Sequence, residues 1–107
     1  MDALRTDIWV AALLRRAQAG GAFAVVAARG DADAGSALVK VNLLDGRARV
    51  RAPMLDMDGA RVWIDPLGGG GLVPEGEADA YLERRRSGDR DLWIIEIEDR
   101  LGRDFIE

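Results

Sequence analysis

The sequence predicts an α+β protein: a mainly antiparallel sheet of four to six strands with two helices packed on one face, in the order α-β-β-β-β-α-β-β. Three observations lead there. Residues 6–19 carry apolar side chains at three- and four-residue spacing, residues 38–44 alternate with period two, and Asp45-Gly46 separates two alternating runs as a hairpin turn would. With 107 residues, the whole chain is expected to be one domain that buries roughly two thirds of the surface its unfolded form would expose. No internal repeat interrupts it.

The first helix is expected to begin at Thr6, whose hydroxyl would cap the first turn, with Asp7 against the positive helix end. Val10, Leu13, Leu14 and Ala17 form its apolar face and Trp9 its border. Gly20-Gly21 stops it. Residues 22–28, a continuous apolar run bracketed by glycines, read as a central strand. In SALVKVNLL, Val39, Val41 and Leu43 alternate with Lys40 and Asn42, the pattern of a half-buried strand. The hairpin returns through RARVRAP, with Ala48, Val50 and Ala52 on the core side and Pro53 as its end.

RVWID is the fourth strand, after a loop around Asp56–Gly59. GGGG at 68–71 is expected to be the most flexible connector. Pro74 opens a second helix with Glu75, Glu77 and Asp79 early, Arg84, Arg85 and Arg86 late, a stripe of Ala78, Tyr81 and Leu82, and Gly88 at its end. In DLWIIEIED, Trp93, Ile95 and Ile97 alternate against Leu92, Ile94, Glu96 and Glu98, and DFI folds back as a short edge strand. The core contact this implies is Trp93, Ile95 and Ile97 against Val10, Leu13 and Leu14.

The chemistry is bounded by what is missing. The sequence has no Cys and no His, so disulfides, thiolate nucleophiles, the usual zinc sites and imidazole acid–base catalysis are excluded. Ser36 and Ser87 have no histidine to activate them. No metal and no cofactor is called for, and an enzyme is the minority reading. The start has Asp2 and Asp7 before its apolar stretch and no basic leader, so it does not read as a signal peptide. No run reaches the ~20 apolar residues of a membrane span, and no membrane partner is expected. Absence of Cys fits a cytoplasmic protein. The net charge of −4, from 15 basic and 19 acidic residues, makes nucleic acid an improbable partner.

In GDADAGS, residues 30–36, two glycines with four residues between them follow an apolar run, the spacing of a phosphate loop. That loop needs Lys after the second glycine and a helix beyond it. Here Ser36 and a strand follow, and Asp31 and Asp33 would repel phosphate. A tight connection between strands is the expected structure.

One surface stands out. If Asp45-Gly46 is a two-residue loop, Asn42 faces Arg49 and Lys40 faces Arg51, so Lys40, Asn42, Arg47, Arg49 and Arg51 all project from one strand face. Like charges placed across a strand pair repel. Either Glu96, Glu98 or Asp65 on neighbouring strands neutralises them, or they form a site for an acidic protein partner or a small anionic ligand. Trp63 has the right parity to stack beside it.

TDIWVAALLRR near the start, GDADAGSALVKVNL in the first third and DLWIIEIEDRLGRDF at the end resemble the small alphaproteobacterial proteins of domain-of-unknown-function family 1491. The resemblance runs over nearly the whole length and is weakest from Met54 to Gly76. It implies a cytoplasmic bacterial protein and carries over no residue roles. The functional expectation is therefore a non-enzymatic binding or assembly module acting through the basic strand face or a homodimer interface. The alternative is a small divalent-cation-dependent hydrolase built on Asp31 and Asp33, or on Glu96, Glu98 and Asp99.

Overall fold

The computed structural model describes residues 5–69 and 71–106; Asp2, part of the leader reading above, and Gly70 of the glycine run lie outside the described residues. The elements follow as α1 (Thr6–Ala19), β1 (Phe23–Ala28), β2 (Ala37–Asn42), β3 (Arg47–Leu55), β4 (Arg61–Ile64), β5 (Leu72–Pro74), α2 (Glu75–Gly88) and β6 (Trp93–Glu98). The strands make one mixed sheet in the order β1-β6-β2-β3-β4, with β5 also on β3. Every pairing is antiparallel except that of β2 with β6. The α+β class, the two helices and the mostly antiparallel sheet are as the sequence predicts.

The helices, however, do not share a face. Val10, Leu13 and Ala17 of α1 pack with Val39, Val41, Trp93, Ile95 and Ile97, as expected. Ala78 and Leu82 of α2 pack with Leu38, Val50, Val73, Leu92 and Ile94, on the other side of the sheet. The cause lies in β2 and β6, which carry apolar residues at both parities and so need cover on both faces. All six residues of β2 are buried, which replaces the half-buried strand expected there.

Strand β1, expected at the centre, is the edge of the sheet and pairs only with β6 among the described residues. Strand β3 continues through Pro53 to Leu55, because the pairing with β2 has ended by then and β4 takes over. The three residues of β5 pair with Arg47, Ala48 and Arg49 along the other half of that edge. They are an addition to the predicted elements. The DFI segment forms no strand. Arg16 donates from Nε to the Phe105 carbonyl at 2.9 Å and from Nη2 to the Ile106 carbonyl at 3.2 Å, and Phe105 takes φ 57°, which no ladder accommodates.

The GDADAGS loop is structural. Thr6 does not cap its own helix; its hydroxyl donates to the Gly35 carbonyl at 2.6 Å, while the Asp7 amide donates to the Ala32 carbonyl at 3.0 Å. The loop thus satisfies one orphan donor of α1, the Asp7 amide, that a side-chain cap would otherwise take. Asp31 accepts from the amides of Asp33 and Ala34 at 3.1 and 2.8 Å, closing its own turn. Gly30 and Gly35 are both required because a Cβ at either would collide with the Asp91 carbonyl. Gly71 plays a related part: it is buried at φ 84°, and a Cβ there would press on the Asp65 carboxylate at 2.9 Å.

Candidate functional site

The hairpin between β2 and β3 decides where every charged side chain on it points. Val39 pairs with Arg51, Lys40 with Val50, Val41 with Arg49 and Asn42 with Ala48. This is one residue out of the two-residue-turn register. The loop holds three residues, Leu44 to Gly46, with Leu44 at φ 64° and Gly46 at φ 91°. Its shape is set by two side chains: Asn42 Oδ1 accepts from the Leu44 amide at 2.8 Å and Asp45 Oδ1 from the Arg47 amide at 3.0 Å. A slip of one residue moves a strand's side chains to the opposite face. Lys40 and Asn42 therefore lie on the α2 side, and Arg47, Arg49 and Arg51 on the α1 side. The five residues do not form one basic face.

On the α2 side Lys40 is almost buried, its side chain 5% exposed. Its ammonium lies 2.8 Å from Glu75, 2.7 Å from Asp79 and 3.6 Å from Glu96. Burial works against the charge. The hydrogen bonds to Asp79 and Glu75 and the field of Glu96 outweigh it, so the lysine is held above its ordinary value. Asn42 Nδ2 donates to the same Glu75 oxygen at 2.9 Å. Lys40 and Asn42 thereby anchor the start of α2 to the sheet.

On the α1 side Arg47 turns back to Asp45 at 2.6 Å, in solvent. Arg49 and Arg51 converge on Asp65 Oδ1 at 2.9 and 3.0 Å, and Arg51 Nε meets Asp104 at 3.1 Å. The Arg49 hydrogen bond, opposed by burial and reinforced by Arg51, holds Asp65 below the usual aspartate range. Of the neutralising partners considered in the sequence, Asp65 and Glu96 serve, on different faces. Asp104 is an addition.

Beside this cluster stands a feature that residue spacing does not reveal. Trp9 of α1 and Trp63 of β4 stack with ring centroids 5.4 Å apart and planes 12° from parallel. They wall a cleft of about 170 Å³ with Pro53, Arg61, Gly35 and Ser36. Trp63 and Arg61 also line a second cleft of about 390 Å³ with Arg51 and Asp104. Arg61 is exposed and makes no ion pair with a described residue. Arg61 and Trp63 are two apart on one strand, so they share a face with each other and, through the β3–β4 pairing, with Arg51. That parity was the available signal for Arg61; the meeting of Trp63 with Trp9 had none.

Most of the carboxylates considered for a cation go to other duties; Asp33, for one, pairs with Arg5 at 3.0 Å. Asp31 closes its turn, Glu96 faces Lys40, and Asp99 is held by Arg103 at 2.8 Å. Among the described residues no three acidic side chains gather as a metal site.

A family model described as "Protein of unknown function (DUF1491)" matches residues 4–107. The crystal structure of a DUF1491 family protein from Caulobacter crescentus CB15 is similar with a TM-score of 0.88 and 51% identity, covering 96% of this chain and 94% of that one. An NMR structure of a DUF1491 family protein from Caulobacter crescentus CB15 gives 0.86 and 50%, covering 98% and 94%. The solution structure of protein Atu0922 from A. tumefaciens gives 0.74 and 37%, covering 89% and 85%. No curated protein matches the chain.

Proposed function

The chain belongs to the DUF1491 family, of unknown function, and on that premise we propose that it is a non-enzymatic binding module of the bacterial cytoplasm. Its ligand is an acidic segment of a partner protein carrying an apolar anchor. The single observation that carries this reading is the Trp9–Trp63 stack with Arg61 shared between its two clefts. Aromatic walls and a proline take an apolar side chain, and an exposed guanidinium takes a neighbouring carboxylate bidentately. The basic face expected on β2 and β3 is thus narrowed to its α1 side, where Arg51 is spent on Asp65 and Asp104 and Arg61 remains for a ligand. Among the described residues the hydrolase reading lacks the convergent carboxylates it needs. No helix among the described residues is long and apolar enough to cross a membrane.

The test uses peptides with a central Phe flanked by Asp and Glu, matched peptides with Lys in the acidic positions, and inorganic phosphate. Tryptophan fluorescence and calorimetry should report binding of the acidic peptide alone, weakened at high salt. Arg61→Glu and Trp63→Ala should each weaken it at least tenfold. Binding that ignores both substitutions, or equal binding of the basic peptide, overturns the reading. Phosphate competing as strongly as the peptide would assign the site to a small anion instead.

A further inference from the structure

Residues 103–106 lie against the α1 layer, where Phe105 and Ile106 pack on its core, yet they pair with no described strand. Side chains hold them instead. Arg16 donates to the Phe105 and Ile106 carbonyls from α1, and Asp104 reaches Arg51. The Phe105 ring sits where a Cβ on Gly20 would stand, with the Arg103 guanidinium 4.8 Å over it. Asp104 and Ile106 line the cleft of about 390 Å³ together with Arg51, Arg61, Val62 and Trp63. The segment thus sets a carboxylate and an aliphatic side chain, two residues apart, against the residues assigned above to a ligand bearing those same two groups.

The hold on Arg51 is incomplete. Asp104 Oδ2 lies 3.1 Å from Arg51 Nε, but that buried N–H makes no hydrogen bond with a described residue. Asp104 Oδ1 accepts from the Ile106 amide at 3.1 Å, so the carboxylate serves its own turn as well as the arginine. Phe105 holds φ 57°, a conformation that few residues with side chains adopt. Arg51 does not depend on this segment for its place. Its Nη1 donates to Asp65 at 3.0 Å and its Nη2 to the Trp63 carbonyl at 3.3 Å, so departure of Asp104 leaves the guanidinium paired.

We propose that residues 103–106 are a displaceable strap, an internal stand-in for the partner's acidic, apolar-anchored segment, which that segment must push aside to bind. The inference rests on the binding function proposed above and supplies its regulation. With the strap seated, Arg61 remains for a carboxylate. With the strap displaced, Arg51 Nε and the place of Ile106 in the Trp63 cleft are added to the site. A ligand that binds the open state has its apparent affinity reduced by the open fraction, so loosening the strap raises the affinity.

Arg16 provides the test, because it holds the strap and lines neither cleft. Arg16→Ala removes a positive charge, which by electrostatics alone should weaken an acidic ligand. The strap predicts the reverse. In calorimetry the peptide with a central Phe flanked by Asp and Glu should bind Arg16→Ala at least about threefold more tightly than the parent. Asp104→Asn should show the same gain, and it decides the matter if circular dichroism finds Arg16→Ala unfolded. In the parent, NMR contacts between the Phe105 ring and Gly20 should disappear as the peptide saturates. Equal or weaker binding by the folded variants, or Phe105–Gly20 contacts that persist at saturation, would overturn the strap and leave the binding function standing. Absence of binding to the parent and to both variants would overturn the two together.

Discussion

Val41 stands directly across the hairpin from Arg49. Opposed residues share a face, so this pair puts Arg49 on the α1 side and leaves Lys40 on the α2 side with Val50. The two cations consequently answer to different carboxylates, Asp65 for the arginine and Glu75, Asp79 and Glu96 for the lysine. Lys40→Met and Arg49→Met should each lower stability, and the double variant should match their sum to within about 0.5 kcal/mol. Urea unfolding of the four proteins measures this. A coupling of about 1 kcal/mol or more would show one shared network.

Asp65 makes the fold sensitive to acid. Its carboxyl is held down first by the Arg49 hydrogen bond, and that of Asp99 by Arg103. A carboxyl depressed in the folded state stabilises fully above its unfolded value, and the contribution is lost as pH falls through the folded one. The melting temperature should therefore begin to drop near about pH 4 and continue below it. Asp65→Asn should flatten part of that drop while costing about 1–2 kcal/mol at neutral pH. An acid limb identical to that of the parent would mean that the arginines do not hold the charge.

Two glycines should respond oppositely to the same substitution. A Cβ at Gly35 meets the Asp91 backbone, which cannot yield without moving the loop that caps α1, whereas one at Gly76 in the first turn of α2 meets nothing. Gly35→Ala should cost about 1–3 kcal/mol, as overpacking does. Gly76→Ala should add about 0.5–1 kcal/mol by restricting the unfolded chain and favouring helix. Thermal unfolding of both variants decides it, and a harmless Gly35→Ala would return the GDADAGS glycines to plain turn formers.

Most elements were legible because periodicity reports burial. Val10, Leu13 and Ala17 on one helical stripe and Ile95 and Ile97 on one strand face meet as their spacing requires. Leu38 and Ile94, apolar at the opposite parity, already signalled a second layer, and overlooking them put both helices on one face. The five residues miss a common face for a different reason. Strand parity is counted from the turn, and one extra loop residue at Leu44 inverts every position on β3 relative to β2. Contacts such as Trp9 with Trp63 arise only from the assembled sheet, so no local pattern announces them.

Leu44 itself gives the sharpest check on that loop. It is a non-glycine residue at φ 64°, a conformation that costs a side chain about 1–2 kcal/mol, and its side chain is 43% exposed and so recovers little by packing. What holds it there is the Asn42 side-chain Oδ1, which accepts from its amide, and the Asp45 carboxylate, which accepts from the Arg47 amide at the start of β3. Glycine removes the strain and keeps the amide, at the expense of a more flexible unfolded chain. Leu44→Gly should therefore stabilise the protein by about 0.5–1 kcal/mol, whereas Asn42→Ala should destabilise it by a similar amount or more. Amide exchange of Val41 and Arg49 should stay equally protected in Leu44→Gly, since their pairing does not depend on the leucine side chain. A loss of stability with loss of that protection would show that Leu44, and not Asn42 and Asp45, fixes the register on which the placement of Arg49 and Arg51 rests.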